Sequence, residues 1–134
     1  MFDIFVVDAN VVLSSLINKG TCFSLFMINS LLNKFELIAP EFLFEEVNNN
    51  KSRIFKSSKL SEQEFEEMYE FLINEISFIP AKDFIQFLPE AKQLAPHSKD
   101  ESYVALHLST KFPICSGDKG LQKSKLNVLL NNKS

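Results

Sequence analysis

The chain has 134 residues, 46% of them hydrophobic, and a formal net charge of −3. This size and apolar content suit one globular domain with a sizeable core and argue against a disordered chain. An acidic chain does not hold nucleic acid by bulk charge, so such a role needs a local basic patch or a bound cation.

Phe2-Asp3-Ile4-Phe5-Val6-Val7-Asp8 opens the chain as a short apolar run ending in a carboxylate. Aromatic and β-branched residues dominate it, which predicts a buried strand over Ile4 to Val7. From Asn10 the pattern turns helical, and Val11 to Lys19 reads as a helix stopped by Gly20. Thr21 can cap a second helix through Phe23, Leu25, Phe26, Ile28, Leu31 and Leu32, apolar enough to be expected to cover the sheet. Phe35 to Ala39 reads as a strand. Pro40 ends it and favours a helix over Glu41 to Asn49. Lys51 to Lys59 is read as a polar, basic segment.

Ser61-Glu62-Gln63-Glu64 is a capping box opening a helix with Phe65, Met68, Tyr69, Leu72 and Ile73 on one face. Ile76 to Ile79 reads as a strand closed by Pro80. Asp83 to Leu94 reads as two short helices interrupted at Pro89. A loop over Pro96 to Lys99 leads to a helix over Asp100 to Lys111, with Tyr103, Val104 and Leu106 inward. Phe112 to Cys115 is a further short strand. One helical turn is expected over Gly120 to Lys125, an edge strand over Asn127 to Leu130, and a frayed tail after that. Strands alternating with helices predict an α/β domain spanning residues 1–134, with a mainly parallel sheet and helices on both faces.

Cys22 and Cys115 lack metal-type spacing and read as packing thiols of a reduced, cytoplasmic protein. No basic leader followed by an apolar run opens the chain, and no apolar stretch reaches about 18 residues. Neither a signal peptide nor a membrane helix is expected.

The acids carry the chemistry. Asp8 and Asp118 each follow a predicted strand, and in a parallel sheet such ends share one edge, where ligands bind. Asp100 opens a helix, where the macrodipole favours an anion. Glu46 lies about two turns into a helix that itself follows a strand. Taken singly, Asp8 and Asp100 could be helix caps, Asp118 a turn residue and Glu46 a solvated acid. Brought together they would repel, each raising the others' pKa, unless a divalent cation neutralised them. Mg2+ and Mn2+ prefer such oxygen ligands, and a cation there would promote phosphodiester hydrolysis.

Four blocks carry a resemblance: Val6-Val7-Asp8-Ala9-Asn10-Val11, Ala39-Pro40-Glu41-Phe42-Leu43-Phe44-Glu45-Glu46-Val47, Asp100-Glu101-Ser102-Tyr103-Val104-Ala105-Leu106 and Ser116-Gly117-Asp118-Lys119. In order and spacing the chain resembles the PIN-domain nuclease family over nearly its whole length. The resemblance implies a three-layer α/β/α sandwich and Mg2+- or Mn2+-dependent ribonuclease activity. It also implies an acidic quartet of Asp8, Glu46, Asp100 and Asp118, with Asn10 bracing the first acid and Ser116 beside the last. Ala9 stands where the family often has Thr or Ser. Glu45 and Glu46 are adjacent; Glu46 is favoured because it precedes the aliphatic Val47, as the family's acid does. About 100° of helix separates the two, so only one should face the site.

Many small members are VapC-type toxins, which implies an RNA substrate, an antitoxin protein as partner and a homodimer. Arg53, Lys51, Lys56 and Lys119 are the candidates for holding a phosphate backbone, Arg53 foremost because its guanidinium can bind a phosphate bidentately. Two alternatives are a catalytically silent RNA- or partner-binding module of the same fold and a haloacid-dehalogenase-like phosphatase. The second lacks the required Asp two residues after the first, since Asn10 stands there. His97, His107 and Tyr103 read as surface or core residues.

Overall fold

A computed structural model describes residues 3–18 and 21–115. Its strands are β1 (Asp3–Val7), β2 (Phe35–Pro40), β3 (Ile76–Ile79) and β4 (Ile114–Cys115). They form a sheet of order β3-β2-β1-β4 in which every pairing is parallel. Val6 stands opposite Ile38 on one side and Ile114 on the other, and Val7 stands opposite Cys115. The chain leaves β1 for a neighbour on one side and returns with β4 on the other. The carboxyl end of β1 is therefore a topological switch point, the usual ligand crevice of an open parallel sheet.

The helices are α1 (Ala9–Asn18), α2 (Thr21–Leu32), α3 (Glu41–Asn49), α4 (Lys51–Ser58), α5 (Glu62–Glu75), α6 (Leu88–Leu94) and α7 (Glu101–Thr110). Val6 and Val7 are both fully buried. Successive strand residues face opposite sides of a sheet, so both sides are covered. On one side α7 packs against β1, β2 and β4; elsewhere α3 reaches β2 and β3, and α5 reaches β3. The result is the expected three-layer α/β/α sandwich. Burial deepens towards the carboxyl ends of β1 and β2, so the core lies directly beneath the switch point.

Local chemistry explains most of these elements. Ser61 and Glu64 exchange both bonds of the capping box at the start of α5. Pro40 ends β2 and precedes the first turn of α3. Its fixed φ of −63° suits that boundary, and no backbone N–H is left there to pair. In α7 five consecutive residues, Tyr103 to His107, are buried, so this helix is enclosed on all sides rather than amphipathic. His107 Nδ1–H donates to the Phe112 carbonyl at 2.6 Å and closes the turn into β4.

Three expectations need correction. Residues 51–58 form a helix, because Ile54 and the half-buried Phe55 dock on α1 and α5, with Phe55 and Phe65 5.3 Å apart ring to ring. Charge density hid that two-residue apolar stripe. Pro89 lies in the first turn of α6 and opens it rather than interrupting it. Two 3-10 turns, 81–83 and 85–87, precede it. Finally, α2 packs mainly on α1 and α5 and meets the sheet at its edge, where Asn29 exchanges two hydrogen bonds with the Phe35 backbone. Phe26 is buried there and Phe23 meets Phe71 of α5. Met27, Ile28, Leu31 and Leu32 stay exposed, Leu31 by 81%. A helix apolar all round carries no signal for which face is inside.

The expected stop at Gly20 and the elements expected after Cys115 lie outside the described residues, as do the side chains of Cys22 and Cys115. No helix among the described residues is long and apolar enough to cross a membrane.

Candidate metal centre

Asp8 follows β1 directly and is 3% exposed. Its Oδ1 accepts the Val11 backbone N–H at 3.2 Å. The strand thus delivers the carboxylate to the switch point, and the first turn of α1 holds it there. The helix backbone supplies this bond. Asn10 is half-buried in that same turn.

Asp100 is 4% exposed at the residue preceding α7. Its side chain makes no cap bond to its own helix, although it stands at the end where the macrodipole favours a negative charge. The plain helix-cap reading therefore does not describe it. A carboxylate drawn this far out of water is costly unless charge or hydrogen bonds compensate it.

Glu46 sits on α3, half-buried, while Glu45 beside it is exposed. Glu46 Oε1 accepts the Tyr103 hydroxyl at 3.3 Å, which turns Glu46 and not Glu45 towards α7. Tyr103 is 2% exposed and lies one helical turn after Asp100. Burial pushes its phenol far above the usual range of 10.0. The Glu46, Asp8 and Asp100 carboxylates, in that order, push it further. One side chain thus feels the field of all three acids, which come from the first, middle and last thirds of the described chain. Sequence reasoning placed Tyr103 in the core, which it is, but missed its bond to Glu46. The available signal was its spacing of three residues from Asp100, which puts both on one helix face.

Ser116, Asp118 and Lys119 lie outside the described residues. Cys115, the last described residue, stands level with Val7 in the sheet. Among the described residues, no group of three or more acidic, histidine or cysteine side chains is close enough to hold a metal ion. The three acids described offer carboxylate oxygens alone, and two of them are buried. Such donors fit a hard cation such as Mg2+ or Mn2+ better than a thiolate-seeking one.

The basic residues divide. Lys51 Nζ pairs with Glu66 at 3.0 Å and lies 4.4 Å from the centre of the Tyr69 ring, tying α4 to α5. Arg53 and Lys56 are exposed on α4. His97 is exposed in the loop before Asp100.

The family model described as the PIN domain matches residues 6–131. No curated protein matches the chain. PIN domains are in general nucleases that act on nucleic acid with the help of divalent metals. A match from the end of β1 to near the last residue, on a parallel sheet with Asp8 at its switch point, places this chain in the PIN-domain family.

Proposed function

We propose that the protein is a divalent-metal-dependent endoribonuclease that hydrolyses phosphodiester bonds in single-stranded RNA. Residues 1–134 would act as one domain, with Asp8, Glu46, Asp100 and Asp118 holding Mg2+ or Mn2+. Asn10 and Ser116 would support the site. The observation that carries this reading is the bond from the buried Tyr103, one turn after Asp100, to Glu46 Oε1, in a chain of the PIN-domain family.

When bound, a divalent cation supplies Lewis acidity towards the phosphoryl oxygen and lowers the pKa of a coordinated water. The chain's own residues do the remaining work. Asp8 and Asp100, both buried, offer carboxylate oxygens, and that of Asp8 is held by the first turn of α1. Glu46 approaches from α3, steadied by Tyr103. Arg53, Lys56 and Lys119 are the cations assigned to the RNA backbone; Lys51 has Glu66 and Tyr69 as neighbours and is the weaker candidate.

Phe42 supports a single-stranded substrate. It is 41% exposed and lies four residues before Glu46, one turn away on the same side of α3. An aromatic face there can stack an unpaired base. Phe44, also exposed, instead meets Phe78 at 5.7 Å. The apolar face of α2 supports a protein partner, as exposed patches of this kind do. We assign it to a second copy of the chain in a cytoplasmic toxin, whose activity a cognate antitoxin protein would restrain.

The test is cleavage of single-stranded RNA with added Mn2+, comparing the protein with Asp8→Asn. The proposal expects metal-dependent cutting that the substitution removes. Equal activity in both proteins, or RNA binding with no cutting by the unaltered protein, overturns it.

A further inference from the structure

Glu46 differs from Asp8 and Asp100. It is a longer side chain, half-buried, and it reaches the site from the middle of a helix rather than from a strand end or helix start. A free glutamate loses considerable rotamer freedom when it binds a cation. The structure provides a group that restricts it in advance. Tyr103 is enclosed within α7, and a buried tyrosine hydroxyl requires a hydrogen-bond partner. Its partner among the described residues is Glu46 Oε1, 57 positions away in sequence.

We propose that Tyr103 is a positioning residue whose hydroxyl fixes the Glu46 carboxylate through Oε1 and so restricts that side chain before it meets a divalent cation. The inference rests on the metal-dependent reading above. The ring is locked by its neighbours in the core, so the hydroxyl is a rigid anchor rather than a mobile one. Partners of this type, which orient a metal ligand without touching the metal, commonly change affinity or activity about 10- to 100-fold when removed.

Tyr103→Phe removes one oxygen and retains the ring, so core packing is preserved. Three readouts are taken on the full chain: Mn2+ affinity by calorimetry, metal-free thermal unfolding, and kcat and KM on RNA. The expected result is a Mn2+ affinity weakened by about 10-fold or more and a lower kcat at unchanged KM. Metal-free melting should change little. In the double variant with Glu46→Gln, the loss should be no greater than for Glu46→Gln alone, since the hydroxyl acts only through that carboxylate. Unchanged Mn2+ affinity in Tyr103→Phe, or fully additive losses in the double variant, overturns the assignment while leaving the metal site intact. Absence of Mn2+ binding by the unaltered protein overturns the metal-dependent reading itself and this assignment with it.

Discussion

Asp8 Oδ1 accepts the Val11 N–H at 3.2 Å, so the residue that follows β1 also caps α1. Two roles meet in one carboxylate, and they can be separated. Asp8→Asn keeps an oxygen acceptor for the helix but loses the charge. Asp8→Ala loses both. Each should reduce Mn2+-dependent RNA cleavage by at least about 100-fold, the effect of losing about 3 kcal/mol of transition-state stabilisation. Only Asp8→Ala should also lose about 1 kcal/mol of stability, the usual worth of an N-cap. Chemical denaturation beside the cleavage assay checks both halves; equal stability of the two variants contradicts the capping role.

The adjacent pair Glu45 and Glu46 offers a built-in control. Glu46 turns towards Tyr103, and Glu45 is exposed. Glu46→Gln should lower kcat by about 100-fold, on the same reasoning as for Asp8. Glu45→Gln should stay within about twofold of the unaltered protein, as surface changes away from a site do. The reverse pattern would place the second acid one residue earlier.

The fold was legible where local chemistry was strong. The capping box at Ser61, the strand ended by Pro80 and the apolar run before Asp8 each specify one element with little help from distant residues. Legibility failed where tertiary packing decides. Ile54 and Phe55 form a stripe too narrow to outweigh the surrounding charge, so α4 went unread. The even apolarity of α2 concealed which residues would stay exposed. Of the site, Asp8, Glu46 and Asp100 could be listed from spacing and family resemblance. The choice of Glu46 over Glu45 gained a physical reason only from the Tyr103 contact, which joins two segments that no local pattern connects.

Stability should fall at alkaline pH with a sign set by two phenols. Burial raises Tyr103 and, to a smaller degree, Tyr69 above the ordinary value of 10.0. Below that value both states hold the proton and the full stability is present. Above it the unfolded chain releases protons that the folded chain retains, so stability declines as pH rises. Tyr103→Phe should make this decline shallower by up to about 1.4 kcal/mol per pH unit. Denaturant unfolding between pH 9 and about 11.5 checks it. An identical slope in the variant would show that Tyr103 ionises as freely in the folded protein as in the unfolded chain.

Phe42 should matter for substrate and not for fold. Stacking one base on an aromatic ring is worth about 1–3 kcal/mol by alanine substitution, or roughly 5- to 150-fold in affinity. Phe42→Ala should therefore raise KM for single-stranded RNA within that range while leaving kcat little changed. Phe44→Ala, whose ring meets Phe78, should instead lower stability with little change in KM. A KM unaffected by Phe42→Ala would remove α3 from the RNA-contacting surface.

A crystal soaked in Mn2+ and measured at the manganese absorption edge tests the central claim most directly. The account predicts an anomalous peak at the carboxyl end of β1, ligated by oxygens of Asp8, Glu46 and Asp100 together with Asp118. Manganese bound elsewhere, or no peak between these carboxylates, would contradict it.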